Sequence, residues 1–451
     1  MNYLPKKSGV SSLLAIALAG VTALAQGAGP AALREPIQSR INQESSRLVA
    51  LYKELHAHPE LSYQEEKTAA RIADQLKEAG FEVTAKVGGH GIVGVLRNGP
   101  GPTILIRTDL DGLPVKEETG LAYASQARTK DDKGNEVNVM HACGHDMHMT
   151  VFSGTARVLA SLKDQWKGTL VMIGQPAEER VGGAKAMLAA GLFTRFPKPD
   201  YCLALHVNSQ LPAGSVGYTE GYMLANVDGL NVTIRGVGGH GAWPHTTKDP
   251  IVLAAQTILA LQTIVSRETQ PGEPAVITVG SIHGGTKHNI IPDEVTLQLT
   301  LRSYSDEVRA HSIAAVKRIT KGLAQAAGLP DNRLPIVAVE NESSSATYND
   351  PALTQRVVKS FQSWLGEQNT LREKPVMGAE DFGLFGRTED KIPICMFWLG
   401  SVEPQRVQES KRSGQPLPSL HSSTYHPVPE TTIKTGVTAM TAAVLELAGN
   451  K

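Results

Sequence analysis

Residues 103–111 read TILIRTDLD. Ile104, Leu105 and Ile106 are consecutive apolar residues, the pattern of a strand buried on both faces rather than of one that alternates between core and solvent. The run closes on two acids, Asp109 and Asp111, at the carboxyl end where open α/β sheets gather their chemistry. Two β-rich runs precede it, FEVTAKV (81–87) and GIVGVLRN (91–98). After it come a helix ending near Leu162, a strand in GTLVMIGQPAEE (168–179), a helix over 183–190 and a strand, YCLALHV (201–207). This alternation predicts an α/β fold, a mostly parallel sheet flanked by helices. Upstream, apolar residues recur at helical spacing from 37 to 80, broken at His58-Pro59, with a second helix over 62–79 and Gly80 as its C-cap.

From residue 227 the order changes to strand (GLNVTIRG), helix (249–267), strand (AVITVGSI), strand (EVTLQLTLRSY), helix (306–327) and strand (PIVAVE). This β-α-β-β-α-β order is the ferredoxin-like split pattern, which predicts a second α+β domain inserted into the first. The short polar run ESSSA (342–346) reads as the return linker. The expected organisation is 26–226 and 343–451 as two parts of one catalytic domain around an insert over 227–342, with 26–36 a linker.

At 451 residues the chain is too long for one compact core. Lys plus Arg equals Asp plus Glu at 44 each, which argues against a nucleic-acid partner. Lys6 and Lys7 precede the apolar run LLAIALAGVTALA (13–25), and Ala23 and Ala25 supply small residues at −3 and −1 of a cleavage site. The run is too short and too rich in small residues for a membrane span, so 1–25 reads as a signal peptide and the mature protein as exported, periplasmic or secreted. Export makes the three cysteines, Cys143, Cys202 and Cys395, informative: they are too few for a disulfide scaffold. A Cys202–Cys395 bridge stays open at this level.

Five separated places end a strand or loop in ligand-type residues. Asp109-Leu110-Asp111 is either a pair of solvated acids or a source of a carboxylate, Asp111, that orients a metal-binding histidine. MHACGHDMH (140–148) sets Cys143 and His145 on either side of Gly144, so that both can point at one ion; thiolate and imidazole suit zinc, manganese or a similar cation. A Cys-Gly-His triplet alone reads equally well as a buried thiol and a core histidine. Pro176-Ala177-Glu178-Glu179 places two carboxylates side by side, which can serve one site only if the backbone turns there. His206 ends YCLALHV, and His421 lies in LHSSTYHP. Together these supply donors for two ions at one sheet's carboxyl end. Such a pair can polarise a carbonyl and activate water, as amide or ester hydrolysis requires.

With those residues in view, the chain resembles the large metallopeptidase and amidohydrolase family that includes aminoacylase, carboxypeptidase G and hippurate hydrolase. It is most similar to the branch containing the plant hydrolases of indole-acetyl amino acids. The matching stretches are LHAHPELSYQEEKTA (55–69), RTDLDGLPVKEETG (107–120), MHACGHDMH, QPAEE, LALHV, GGHGAWPH (238–245), HNIIPDE (288–294), MGAEDFG (377–383) and LHSSTYHP, in the family's order. The resemblance implies metal ligands Cys143, His145, Glu179, His206 and His421, with Glu178 as the general base that activates water. It implies two divalent ions, zinc or manganese first and cobalt or nickel next, with Cys143 where other branches carry a bridging aspartate. It further implies that His240 of the insert steadies the oxyanion, usually in the partner subunit's site, and that Asn289 and Arg302 contact the substrate. Glu380 is placed in a supporting role.

The insert would then pair two chains into a homodimer, and the substrate would be a small N-acyl amino acid or related amide. A dipeptidase or carboxypeptidase on the same scaffold, and a non-catalytic periplasmic binding protein, are the alternatives. Three details depart from the family's usual pattern: Arg180 and Val181 intervene before the glycines after PAEE, Gly112 stands where alanine is usual, and Lys287-His288 replaces a smaller pair before Asn289.

Overall fold

A computed structural model describes residues 30–449; residues 1–25, the segment expected to be a signal peptide, lie outside the described residues. Thr103–Asp109 is an inner strand of an eight-stranded mixed sheet, lying between Gly168–Gln175 and Tyr201–Pro212 and parallel to both. Ile394–Val402 extends the parallel run beyond Tyr201–Pro212. Antiparallel pairs flank it: Ile92–Asn98 against Gly168–Gln175 on one side, Val216–Tyr218 against Ile394–Val402 on the other. Ile104 and Ile106 pack into one hydrophobic cluster with the helices Pro30–Ala57, His145–Ser161 and Pro429–Ala448, while Leu105 packs into a second cluster on the opposite face. The uninterrupted apolar run therefore reflects burial on both faces, as expected for a central parallel strand.

The same alternation answers the disulfide question. Cys202 belongs to one cluster and Cys395 to the other, so their side chains leave opposite faces of the sheet, and all three cysteines are free thiols.

Two boundaries differ from the sequence reading. The first helix begins at Pro30 rather than after a linker, with Pro36 inside it; Ile37, Ile41, Leu48, Tyr52 and Leu55 bury one stripe in the core shared with the helices His145–Ser161 and Pro429–Ala448. The second helix starts at Glu66, four residues late, because Tyr63 turns at φ +67 and the buried Glu65 carboxylate accepts the Tyr63 N–H at 2.9 Å.

Residues 228–339 form a sheet of their own, ordered Ala275–His283, Glu294–Ser303, Asp228–Arg235, Ile336–Val339, with every neighbouring pair antiparallel. Glu294–Ser303 alternates buried and open positions, and Val295, Leu297, Leu299 and Leu301 meet the helices Pro250–Thr263 and Asp306–Ala326 in a separate core. This is the one-sided burial that a period-two pattern produces. The chain passes between the two sheets near Val227 and Ser344, which pair across an isolated bridge.

Candidate active site

The carboxyl ends of the central strands converge on one cluster. Cys143 and His145 sit at the start of the helix His145–Ser161, joined by Gly144 at φ +79. A Cβ on Gly144 would lie 2.6 Å from Cγ2 of Val207, so only glycine lets this turn nest against the next strand. Cys143 Sγ lies 3.4 Å from His206 Nε2 and 3.3 Å from His421 Nε2. His145 Nε2 lies 3.7 Å from Glu178 Oε2 and 3.7 Å from Glu179 Oε1, and His421 Nε2 lies 3.5 Å from Glu179 Oε2. The backbone does turn at the two glutamates: Ala177 and Val181 on either side are left-handed, at φ +49 and +44.

Hydrogen bonds fix which ring nitrogens face the cluster. His145 Nδ1–H donates to the Asp111 carbonyl at 2.8 Å, and His206 Nδ1–H to the Val207 carbonyl at 2.8 Å, leaving both Nε2 lone pairs inward. Asp111 thus orients His145 chiefly through its main chain. Its carboxylate Oδ1 stands 3.3 Å from the ring, while Oδ2 accepts from Ser62 Oγ at 2.6 Å and from the Glu179 N–H at 3.0 Å.

Three buried atoms here have no hydrogen-bond partner: Asp111 Oδ1 behind the His145 ring and, facing the cluster, His145 Nε2 and Glu179 Oε1. Leaving such atoms bare costs about 1–3 kcal/mol each, a penalty that cation coordination removes. Ligand atoms of Cys143, His145 and His206, of Cys143, Glu179 and His421, and of His145, Glu178 and Glu179 each group within 4.8 Å. The donor set therefore fits divalent metal, with Cys143 common to two groups. Burial, then Glu179 and Glu178, pushes the Cys143 thiol well above its usual range, so the thiolate needs a cation. Burial, then Glu380 and Glu179, also lifts the Glu178 carboxyl well above the ordinary range, and Glu179 is raised to about 7, mainly by burial. Cations in the cluster oppose both shifts.

A second buried network lies behind the first. The fully buried Arg107 guanidinium binds Asp109 Oδ2 at 2.6 Å, Glu380 Oε1 at 2.7 Å and Gln175 Oε1 at 3.0 Å. Asp109 Oδ1 accepts from His148 Nδ1, whose Nε2 accepts the Val207 N–H at 2.9 Å. Nothing in the sequence distinguishes Arg107 or His148 from their neighbours in RTDLDG and MHACGHDMH; a buried arginine amid acids is recognisable only once the strands are side by side.

Of the other expected residues, Arg302 lines the same cavity of about 490 Å³ as Cys143, Glu178, Glu179, His206 and His421, together with Leu224, Val376 and Trp398. His240 and Asn289 are exposed on the insert and do not line it; the His240 ring instead lies tilted beside Trp243, with centroids 5.0 Å apart.

A thiolate, imidazoles and carboxylates around bare inward lone pairs, with a further glutamate alongside, define a metal-dependent hydrolase. The chain belongs to peptidase family M20/M25/M40, whose family model matches residues 105–417. It is 34% identical over 373 residues to thermostable carboxypeptidase 1 of Saccharolobus solfataricus, covering 82% of this chain and 89% of that one. It is 38% identical over 337 residues to hippurate hydrolase of Campylobacter jejuni, covering 74% and 83%. A solved Bacillus subtilis structure described as a dinuclear metal binding peptidase superposes with a TM-score of 0.72 at 28% identity, covering 90% of this chain and 99% of that one. The protein is a metal-dependent hydrolase of amide bonds.

Proposed function

We infer that the protein is an exported hydrolase of N-acyl amino acids that works with two divalent ions, zinc or manganese. The observation that carries the substrate class is Arg302: a half-buried guanidinium in the cavity of the metal donors, whose side-chain hydrogen bonds go to Thr300 Oγ1 at 3.3 Å and the Met377 carbonyl at 3.5 Å, with no acidic side chain paired to it among the described residues. Its planar fork suits a free carboxylate. Leu224, Val227, Val376 and Leu420 offer an apolar wall for the acyl group. Asn289, on the exposed loop before Ile290–Ile291, would join Arg302 in holding the substrate when the insert closes.

Cys143, His145, Glu179, His206 and His421 would hold the ions, which when bound polarise the scissile carbonyl and lower the pKa of water. Glu178 takes a proton from the attacking water as its oxygen adds to the carbonyl carbon. It then delivers that proton to the nitrogen as the C–N bond breaks, releasing acid and amine. The insert is read as a lid that also pairs two chains. The support is an apolar outer face, with Ile251 43%, Val252 53% and Leu259 73% exposed on Pro250–Thr263, beside the open edge strand Ala275–His283. In such a dimer the exposed His240 would serve the partner's oxyanion.

The test is hydrolysis of N-acetyl, N-benzoyl and indole-acyl amino acids against dipeptides, by metal-stripped protein with zinc, manganese, cobalt or nickel restored. Cleavage confined to dipeptides would move the assignment to peptidase. Glu342, a carboxylate in the same cavity, favours that second reading because it could take a free amine, but Arg180 already holds it.

A further inference from the structure

Arg180, the residue that departs from the family's pattern directly after the glutamate pair, has a definite place in the fold. The loop 177–181 carries Glu178 and Glu179 between two left-handed residues, Ala177 and Val181, neither of them glycine. Each such position costs on the order of 1–3 kcal/mol and persists only where its surroundings hold it. On the inner side, Glu65 Oε1 accepts the Ala177 N–H at 2.7 Å and Asp111 Oδ2 accepts the Glu179 N–H at 3.0 Å. On the outer side, Arg180 Nη1 donates to Asp132 Oδ2 at 2.5 Å and Nε to Glu342 Oε1 at 2.6 Å, with the guanidinium 5.9 Å from the Tyr63 ring centroid.

Glu342 lies on the segment by which the chain leaves the inserted sheet. Lys185 Nζ donates to the carbonyls of Asn341 and Ser343 on either side of it. The next residue, Ser344, exchanges both backbone hydrogen bonds with Val227, at 2.9 and 3.0 Å, so the two crossings between the sheets are clamped together. The loop is also a partition. Arg180 and Glu179 line a second cavity of about 410 Å³ with Leu61, Leu113 and Pro114, while Val181, Glu342 and again Glu179 line the larger one.

We propose that Arg180 is a positioning residue: through Glu342 it registers the loop bearing Glu178 and Glu179 against the crossing into the inserted domain, so that movement of the insert is felt at the two glutamates. The inference rests on the roles given above to Glu178 and Glu179. Exposed ion pairs add at most about 1 kcal/mol to stability. A displacement near 1 Å at reacting groups can nonetheless cost about a hundredfold in rate. The link is thus suited to setting geometry without setting stability.

The test uses the full chain as Arg180→Ala, Glu342→Ala, the double variant and Arg180→Lys, each metal-loaded. Hydrolysis of N-benzoylglycine is followed for kcat and KM, and backbone hydrogen exchange over 177–183 is followed without substrate. Each single variant is expected to lose about tenfold in kcat/KM, and the double variant no more than the worse single one, because both cut one link. Exchange over 177–183 should quicken in both single variants, Arg180→Lys should recover part of the loss, and melting temperatures should stay close to wild type. Unchanged exchange in either single variant, or losses that multiply in the double variant, would overturn the proposal. If the unmodified protein cleaves no acyl amino acid, the substrate assignment fails while the exchange measurement still decides the role of Arg180.

Discussion

His145 Nε2 and Glu179 Oε1 face one another at 3.7 Å inside the protein, and neither has a hydrogen-bond partner. An imidazole lone pair and a carboxylate oxygen do not satisfy each other; a cation between them satisfies both.

Chelation should therefore abolish hydrolysis and lower the melting temperature, since the bare donors regain their cost when the ions leave. Restoring zinc or manganese should reverse both effects. His145→Ala and Cys143→Ala should each reduce metal stoichiometry measured by atomic emission, and intact stoichiometry in both would contradict the ligand assignment.

Glu178→Gln keeps the side chain's shape and removes its ability to accept a proton. With metal content unchanged, kcat should fall by about 10²- to 10⁴-fold. Near-normal turnover by the metal-loaded variant would remove Glu178 from the base role.

Arg302→Ala should raise KM for carboxylate-bearing substrates by about 10- to 100-fold, the worth of a charged hydrogen-bonded pair. Substrates with that carboxylate amidated should be much less affected. Equal loss for both kinds would mean that Arg302 shapes the cavity without reading the carboxylate.

Gly144→Ala should destabilise the protein by about 1–3 kcal/mol, because a left-handed alanine is strained and its methyl meets Val207. The helix start carrying His145 would shift, so metal affinity should weaken as well; calorimetry and metal titration on one sample would test both.

His56 makes a prediction about pH. It is buried between Asp146 Oδ2 at 2.7 Å and Glu117 Oε1 at 3.0 Å. Burial disfavours its charge, but hydrogen bonds to Asp146 and Glu117 prevail and raise its pKa from 6.5 to about 10. A folded-state pKa above the unfolded value gives stability that is complete below about pH 6.5 and is lost as pH rises through about 10. Melting temperature should fall across that window, and His56→Gln should be less stable at neutral pH with a flatter profile. A wild-type profile flat from pH 7 to 10 would show that His56 carries no proton when folded.

Much of this protein is legible from local signals. The apolar run Ile104-Leu105-Ile106 announces a strand covered on both faces, and the β-α-β-β-α-β order over 229–340 announces the four-stranded sheet that forms there. Both follow from side-chain periodicity, which the sequence states residue by residue. Glu178, Glu179 and His206 lie on or just beyond parallel strands, which share one carboxyl edge, and the helix start at Cys143 and His145 and the turn at His421 fold against that same edge.

Other features depend on distances that no spacing encodes. Residue 107 becomes the hub for Asp109 and Glu380 only because strands place Arg107 beside a loop 273 positions away. His240 and Asn289 lie in motifs as distinct as those of the metal donors, yet the insert's orientation keeps them outside the cavity that Arg302 enters. The delayed start of the helix Glu66–Glu78 has the same origin, since Glu65 is drawn inward by the backbone of Ala177, more than a hundred residues along. Periodicity fixes which face of an element is buried; only the packed chain decides which distant groups share that burial, because desolvation and hydrogen bonding act on neighbours in space.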